Sequence, residues 1–133
     1  MSNPERIAII GAGLMGNGIA AVFAARGHSV TLYDPFPDAL TAVPGRVAGV
    51  LKDLGWDADA VKRVRTEGNL AKAVADADFV TEAALEKLPL KQDLFVQLAA
   101  ATGPHCILAS NTSVIPITDI AAKLHSRPFT KIN

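Results

Sequence analysis

The 133-residue sequence predicts an α/β fold, a doubly wound parallel sheet with helices on both faces. Short apolar runs alternate along the chain with longer segments of helical periodicity, which is the order of elements that builds such a sheet. The first run, Arg6–Ile10, is continuous rather than alternating, as expected for a strand that is buried on both faces. A glycine-rich turn also follows the first run and leads directly into a helical segment.

Each element is predicted from its local pattern. The predicted strands are Arg6–Ile10, Ser29–Tyr33, 79–81, 107–109 (after a buried Cys106) and a stub within 127–133; the predicted helices are 15–26, 39–54, 57–67, 70–75, Leu88–Ala101 and 116–124. Three side chains, Ile19, Val22 and Phe23, form the apolar stripe of the first helix, and Leu90, Leu94, Phe95 and Leu98 the inner face of the fifth. Because a proline inside a helix removes a hydrogen bond, we expect a kink or break at Pro44.

Three glycines, Gly11, Gly13 and Gly16, follow the first predicted strand in the spacing of a dinucleotide cradle. Gly11 lets the chain turn sharply off the strand, Gly13 lets the backbone approach a pyrophosphate, and Gly16 lets the next helix pack closely. That helix starts with unpaired N–H groups and the positive end of its dipole, which favour phosphate. The spacing predicts a Rossmann-type dinucleotide site that includes Leu14 and Met15.

An acidic residue, Asp34, ends the second predicted strand, about twenty residues beyond the glycines, where Rossmann domains place the group that binds the ribose. A carboxylate there would accept hydrogen bonds from the adenosine ribose hydroxyls and would repel a 2′-phosphate. Its position therefore predicts NAD rather than NADP. A turn-forming role before Pro35 is the less favoured alternative.

Polar residues that follow other strands are expected to converge on the same site. Since the carboxyl ends of parallel strands share one edge, the glycine turn, Asp34, residues 84–86 and residues 110–113 should line one crevice. Ser113 could hydrogen-bond the oxygen at the reacting carbon of a substrate, or it could cap the next helix. Glu86 and Lys91 could contact the nicotinamide ribose, although a surface role is equally consistent with the residues alone.

The composition of the chain argues against several other classes of protein. Half of the residues are hydrophobic, a fifth are charged and the formal net charge is zero, which argues against disorder and against nucleic-acid binding. No apolar run approaches the roughly 20 residues that span a bilayer, and the single cysteine, Cys106, is consistent with a reducing cytoplasm. Four basic residues could bind the phosphates of a coenzyme A, but a solvated surface is the favoured interpretation; they are Lys52, Lys62, Arg63 and Arg65.

Taken together, four stretches resemble the NAD-binding domain of the 3-hydroxyacyl-CoA dehydrogenases, over nearly the whole chain. They are Gly11 to Ala20, the Asp34 position, Glu82 to Glu86 with the following Lys91, and Ala109 to Ser113, whose Ser-Asn-Thr-Ser run is the most specific part. The resemblance implies reversible oxidation of a 3-hydroxyacyl-CoA to a 3-oxoacyl-CoA with NAD as cofactor. It implies cofactor contacts from Gly11, Gly13, Leu14, Met15, Gly16, Asp34, Ala84, Leu85, Glu86, Lys91 and Ser113, the last also touching the substrate oxygen.

The same family places its general base, a histidine, just beyond the position of Asn133, and follows it with a helical domain that forms the homodimer. We therefore expect residues 1–133 to be a single NAD-binding domain with the C-terminal helical domain absent, which binds NAD(H) but turns over poorly on its own. Two alternatives stay open. One is a stand-alone NAD(H)-binding module or sensor, and the other is half of a related 3-hydroxy acid dehydrogenase of the gulonate or carnitine type.

Overall fold

The structure, a computed structural model, describes residues 5–84, 86–112, 115–123 and 130–131. The strands in these ranges are β1 (Arg6–Ile10), β2 (Ser29–Tyr33), β3 (Val64–Glu67), β4 (Phe79–Glu82), β5 (Ile107–Ser110) and β6 (Thr130–Lys131). They form one sheet in the order β3-β2-β1-β4-β5-β6, and every neighbouring pair is parallel. The chain builds the sheet outward from β1 through β2 to β3, and then crosses to β4 on the other side of β1. This order confirms the doubly wound Rossmann-type fold.

Helices cover both faces of the sheet. They are α1 (Leu14–Ala25), α2 (Pro37–Asp53), α3 (Leu70–Val74), α4 (Leu88–Ala101) and α5 (Ile117–Ile120), which a 3₁₀ turn at Ala121–Lys123 extends. Alternate residues of β1 feed two separate cores: Ile7 and Ile9 pack with α1 and α2, whereas Ala8 and Ile10 pack with α3, α4 and α5. Burial on both faces explains why β1 is a continuous apolar run.

Small side chains bring α1 close to the sheet. Its buried residues are Gly16, Asn17, Ala20, Ala21 and Ala24, all small enough for close packing of a helix on a sheet. Ile19 and Phe23 pack only partly against this core, and Val22 is 40% exposed, so the predicted apolar stripe is wrong at Val22. Gly27 ends the helix with φ of +92°, where its N–H donates to the carbonyl of Ala24.

The prediction of a helix over 57–67 is wrong in its second half. A 3₁₀ helix occupies Ala58–Arg63, and the chain then forms edge strand β3, in which Val64 pairs with Val30. An edge strand has one exposed side, so its sequence, Val-Arg-Thr-Glu, carries no apolar run for periodicity to detect. The side chain of Arg65 also links β3 to β2, since its Nε donates to Thr31 Oγ1 at 2.8 Å.

The predicted break at Pro44 is also wrong, because α2 is continuous from Pro37 to Asp53. Pro44 lies on the exposed side of the helix, while Val43, Val47 and Leu51 hold the opposite side in the core. The apolar contacts of that buried side stabilise the helix enough to offset the hydrogen bond that proline removes.

The predicted inner face of α4 is confirmed at Leu94, Phe95 and Leu98 and is wrong at Leu90. The inner residues of α4 are Lys91, Leu94, Phe95 and Leu98, which follow helical spacing, whereas Leu90 is 38% exposed and lies beside this stripe. The predicted last helix, 116–124, is α5 with its 3₁₀ extension, and Leu124 lies outside the described residues. None of the described helices is long and apolar enough to cross a membrane.

Candidate functional site

The glycine turn after β1 is fixed by close backbone contacts. Gly11 has φ of +115°, and its N–H donates to the carbonyl of Tyr33 at 2.8 Å. A Cβ at Gly11 would lie 2.7 Å from the carbonyl oxygen of Ala83, and a Cβ at Gly16 would lie 1.8 Å from that of Gly11. Both positions thus require glycine: Gly11 for its φ and its contact with the chain after β4, Gly16 for the packing of α1 on the turn.

Gly13 differs, because a Cβ there would meet no protein atom within 4 Å. Its backbone, with φ of −82°, is open to other residues, so the fold itself does not require glycine at this position. Gly13 is also the N-cap of α1, where no side chain caps the helix and the first turn carries no acidic residue. Open space beside uncapped N–H groups suits the close approach of a phosphate, and Leu14 and Met15 flank it with 85% and 58% exposure.

Asn17 supports the turn, a role that its sequence pattern did not predict. Its buried side chain donates through Nδ2 to the carbonyl oxygens of Ala12, at 3.0 Å, and Gly13, at 2.7 Å. These bonds fix two carbonyls of the turn. Among the described side chains, Asn17 Oδ1 is the one buried polar atom without a hydrogen-bond partner.

Asp34 directly follows β2 and contacts the glycine turn. Its Oδ2 accepts the backbone N–H of Ala12 at 3.0 Å, and its Oδ1 accepts that of Phe36 at 2.9 Å. A carboxylate has about four acceptor positions, so two hydrogen bonds leave capacity for ribose hydroxyls. Burial, with a smaller contribution from the charge of Asp34, raises the pKa of the neighbouring Tyr33 above its ordinary value of 10.0.

A crevice of about 330 Å³ opens at this edge of the sheet. Its lining includes Gly11, Gly13, Asp34, Phe36, Ala84 and Leu90, which come from the ends of β1, β2 and β4 and from the start of α4. The structure therefore brings together three of the predicted segments: the glycine turn, Asp34 and the residues after β4. The side chain of Phe36, which is 70% exposed, adds an apolar wall next to Asp34.

Two charged side chains lie buried beneath the loop after β4. Glu82 and Lys91 are both fully buried, and Lys91 Nζ lies 2.5 Å from Glu82 Oε2. The same Glu82 oxygen accepts the backbone N–H of Ala84 at 2.6 Å, while Glu82 Oε1 accepts the hydroxyl of Ser110 at 2.6 Å. Lys91 is thus neither a surface charge nor an accident of spacing, and Glu82 is a partner that the sequence analysis did not identify.

Glu86 continues this cluster toward the surface. Its side chain is 41% exposed, with Oε1 at 3.3 Å from Lys91 Nζ, and its Oε2 accepts the hydroxyl of Thr112 at 2.6 Å. Thr112 itself is fully buried. Glu86 and Lys91 therefore contact each other, whereas Leu85 and Ser113, both predicted to contact the cofactor, lie outside the described residues.

The opposite edge of the sheet holds the basic residues and the described histidines. A cleft of about 530 Å³ there is lined in part by Lys62, Arg63 and Arg65, of which Arg63 donates to the carbonyl of Ala24 and Arg65 to Thr31. His28, before β2, and His105, before β5, lie at that edge as well. Within the described part of the chain, no three side chains of the metal-binding types cluster.

Comparison with known proteins identifies the family. The model of the family described as 3-hydroxyacyl-CoA dehydrogenase, NAD binding domain, matches residues 6–130. The chain belongs to this family. NAD is the cofactor that the family description names, which confirms the prediction made from Asp34 and the glycines.

Similar proteins include members with different substrates. L-carnitine dehydrogenase of Streptomyces coelicolor is 44% identical over 90% of this chain and 40% of its own length. For 3-hydroxyadipyl-CoA dehydrogenase of Escherichia coli the identity is 42%, over 93% of this chain and 28% of its own length. The solved structure of Escherichia coli 3-hydroxybutyryl-CoA dehydrogenase superimposes with a TM-score of 0.85 at 39% identity, over 93% of this chain and 28% of that one. The chain thus spans less than half the length of these relatives.

Proposed function

We propose that this chain binds NAD(H) across the carboxyl edge of its sheet and contributes the cofactor site of a 3-hydroxyacyl-CoA dehydrogenase. The observation that carries the proposal is the open space at Gly13, next to the uncapped start of α1 and in the same crevice as Asp34. A pyrophosphate at Gly13 and a ribose at Asp34 would occupy that crevice in the order in which Rossmann folds bind dinucleotides.

The apolar part of the crevice suits the adenine base. Phe36 and Leu90 both line it together with Asp34, and both side chains are exposed. An adenine ring against them would cover apolar surface that water now reaches. The second nucleoside would then lie on the other side of the glycine turn, over the residues that follow β4 and β5.

Bound NAD supplies the hydride acceptor for oxidation of a 3-hydroxyacyl-CoA to the 3-oxoacyl-CoA. In this proposal Glu86, whose side chain is 41% exposed, holds the nicotinamide ribose, and Lys91, which is fully buried, acts on the ribose through Glu86. Ser113 contacts the substrate oxygen. Oxidation of the hydroxyl also needs a proton acceptor, which typically contributes about 10² to 10⁴ in rate. His28 and His105 lie at the opposite edge of the sheet, so neither serves this role. We propose a base from outside residues 1–133, as the family resemblance implies.

A second substrate class is favoured by one observation. The relatives at 44% identity are L-carnitine dehydrogenases, slightly more similar to this chain than the 3-hydroxyadipyl-CoA enzyme at 42%. Oxidation of a free 3-hydroxy acid is therefore the alternative activity. Rates of the full-length protein with acetoacetyl-CoA and NADH, compared with rates with L-carnitine and NAD, distinguish the two substrates.

Titration with NADH tests the binding proposal directly. Enhancement of NADH fluorescence, or heat in a calorimeter, is expected to saturate, with NADPH binding more weakly because Asp34 opposes a 2′-phosphate. A protein that binds no NADH at millimolar concentration contradicts the proposal. A cytoplasmic location and a homodimeric full-length protein are part of the same proposal; sedimentation of the full-length protein tests the second.

A further inference from the structure

The loops after β4 and β5 are joined by a closed set of hydrogen bonds centred on Glu82. Its Oε2 accepts from Lys91 Nζ and from the N–H of Ala84, and its Oε1 accepts from the hydroxyl of Ser110. Its backbone carbonyl accepts the N–H of Asn111 at 2.8 Å. One residue therefore fixes the first residues of both loops and the inner side of α4.

The set closes through Thr112. Ser110 Oγ, which donates to Glu82, accepts the N–H of Thr112 at 3.1 Å, and the hydroxyl of Thr112 donates to Glu86. Glu86 returns to Lys91, whose ammonium also contacts Glu82. Removing one member leaves its neighbours with unpaired polar atoms in a buried site.

If the cluster served only the stability of the fold, its burial would carry an unfavourable desolvation free energy. Glu82, Lys91, Ser110 and Thr112 are all fully buried, and removing two charges from water carries a large desolvation penalty that their pairing has to offset. An apolar pair of similar volume often stabilises a core as well as a buried ion pair does. Holding the two loops in one geometry gives the cluster a function that an apolar pair could not supply.

The cluster also adjoins the glycine turn. Because a Cβ at Gly11 would lie 2.7 Å from the carbonyl of Ala83, the turn and the loop after β4 are in direct contact. A pyrophosphate at Gly13 therefore places the second nucleoside of a dinucleotide against the loops that Glu82 holds.

We propose that Glu82 is a positioning residue, which acts through Ser110, Thr112 and Lys91 to hold the nicotinamide side of the site in its binding geometry. The proposal rests on the NAD site proposed above. It predicts that the cluster matters for the nicotinamide nucleoside and not for the adenosine diphosphate half, which Gly13 and Asp34 would hold.

Two ligands separate these halves: NADH, and ADP, which lacks the nicotinamide nucleoside. For Glu82→Gln, and for Ser110→Ala as the milder variant, we expect NADH to bind about tenfold more weakly, a loss of about 1.4 kcal/mol, while ADP affinity stays within about twofold. Gln at 82 keeps the volume, but it turns one acceptor into a donor that faces other donors. Thr31→Ala is the matched control: it removes a hydroxyl that pairs with Arg65, and it should change neither ligand.

Titration calorimetry measures the NADH and ADP affinities of the variants, and circular dichroism checks that each variant is folded. Weaker NADH binding with unchanged ADP binding supports the positioning role. Equal weakening of both ligands, or no change in either for both variants, overturns it while leaving the NAD site intact. Failure of the wild-type protein to bind NADH overturns the proposed function and the inference together.

Discussion

Asp34 Oδ2 accepts the backbone N–H of Ala12 at 3.0 Å, so the carboxylate proposed to bind ribose also holds the glycine turn. Asp34→Asn should therefore affect both cofactor choice and stability. We expect the ratio of the NADPH Kd to the NADH Kd to fall by about tenfold, since the charge that opposes a 2′-phosphate is gone. Stability should fall by about 1 kcal/mol, since the amide offers one acceptor oxygen instead of two. Titration with both cofactors and urea unfolding measure these effects.

Asp38→Asn is the control for charge, because Asp38 is an exposed residue in the first turn of α2. It should leave the cofactor ratio unchanged. If the Asp34→Asn protein keeps the wild-type preference for NADH over NADPH, Asp34 does not determine cofactor choice.

The three glycines of the turn should respond differently to alanine. Gly13→Ala meets no protein atom, so stability should fall by at most about 1 kcal/mol, the usual difference at an N-cap. NADH binding should weaken by about tenfold or more, because the new methyl group fills the space proposed for the pyrophosphate. Gly16→Ala should instead destabilise the fold, since its Cβ would lie 1.8 Å from the carbonyl of Gly11.

Gly18→Ala is the matched control, because Gly18 is inside α1 and its Cβ would also meet nothing within 4 Å. It should bind NADH normally and gain up to about 1 kcal/mol from helix propensity. Equal NADH affinity in the Gly13→Ala and Gly18→Ala proteins would contradict a phosphate site at Gly13.

Lys91 should be essential to stability. Lys91→Met leaves the buried carboxylate of Glu82 without its cation, and breaking such a pair costs about 3 to 5 kcal/mol. The double variant Glu82→Gln with Lys91→Met should recover part of that loss, because the uncompensated charge is removed. Urea unfolding of the two single variants and the double variant measures the coupling. Additive losses would mean that the two side chains do not interact.

Asp78 should make stability sensitive to acid. The backbone N–H of Arg6, then its guanidinium, lowers the pKa of Asp78 below its ordinary value of 3.8, against a smaller opposing effect of burial. A lowered folded-state pKa gives stability that is present above the unfolded value and is lost as the pH falls through the folded one. The difference in Tm between wild type and Asp78→Asn should therefore be constant above about pH 5 and shrink at lower pH. A difference that grows on acidification would contradict this.

Sequence patterns predicted the parts of the fold that depend on local chemistry. A continuous apolar run identified β1, shorter runs rich in apolar residues identified β2, β4 and β5, and the glycine spacing identified the turn, because these features follow from burial in the sheet and from close backbone approach. Edge strand β3 was missed because a half-exposed strand needs no apolar run. The continuity of α2 through Pro44 depends on core contacts, which propensity does not include.

The site divides in the same way. Residues whose position follows from spacing, such as Gly11 and Asp34, line one crevice as the sequence predicted. The Glu82–Lys91 pair was not predicted, because it depends on bringing the end of β4 and the inner side of α4 together. One signal was available: Lys91 shares the helical spacing of Leu94, Phe95 and Leu98, which places a charge on a buried stripe, where it needs a partner. Asn17 is similar, since only the folded turn brings the carbonyls of Ala12 and Gly13 to its amide.

The central claim is that NAD(H) binds at the carboxyl edge of the sheet, and amide chemical shifts during an NADH titration of ¹⁵N-labelled protein test it most directly. The account predicts that the largest changes fall on residues 13–16, Asp34 and Ala84. Changes concentrated instead on Arg63, Arg65 and Ala77, which line the cleft at the opposite edge, would contradict it.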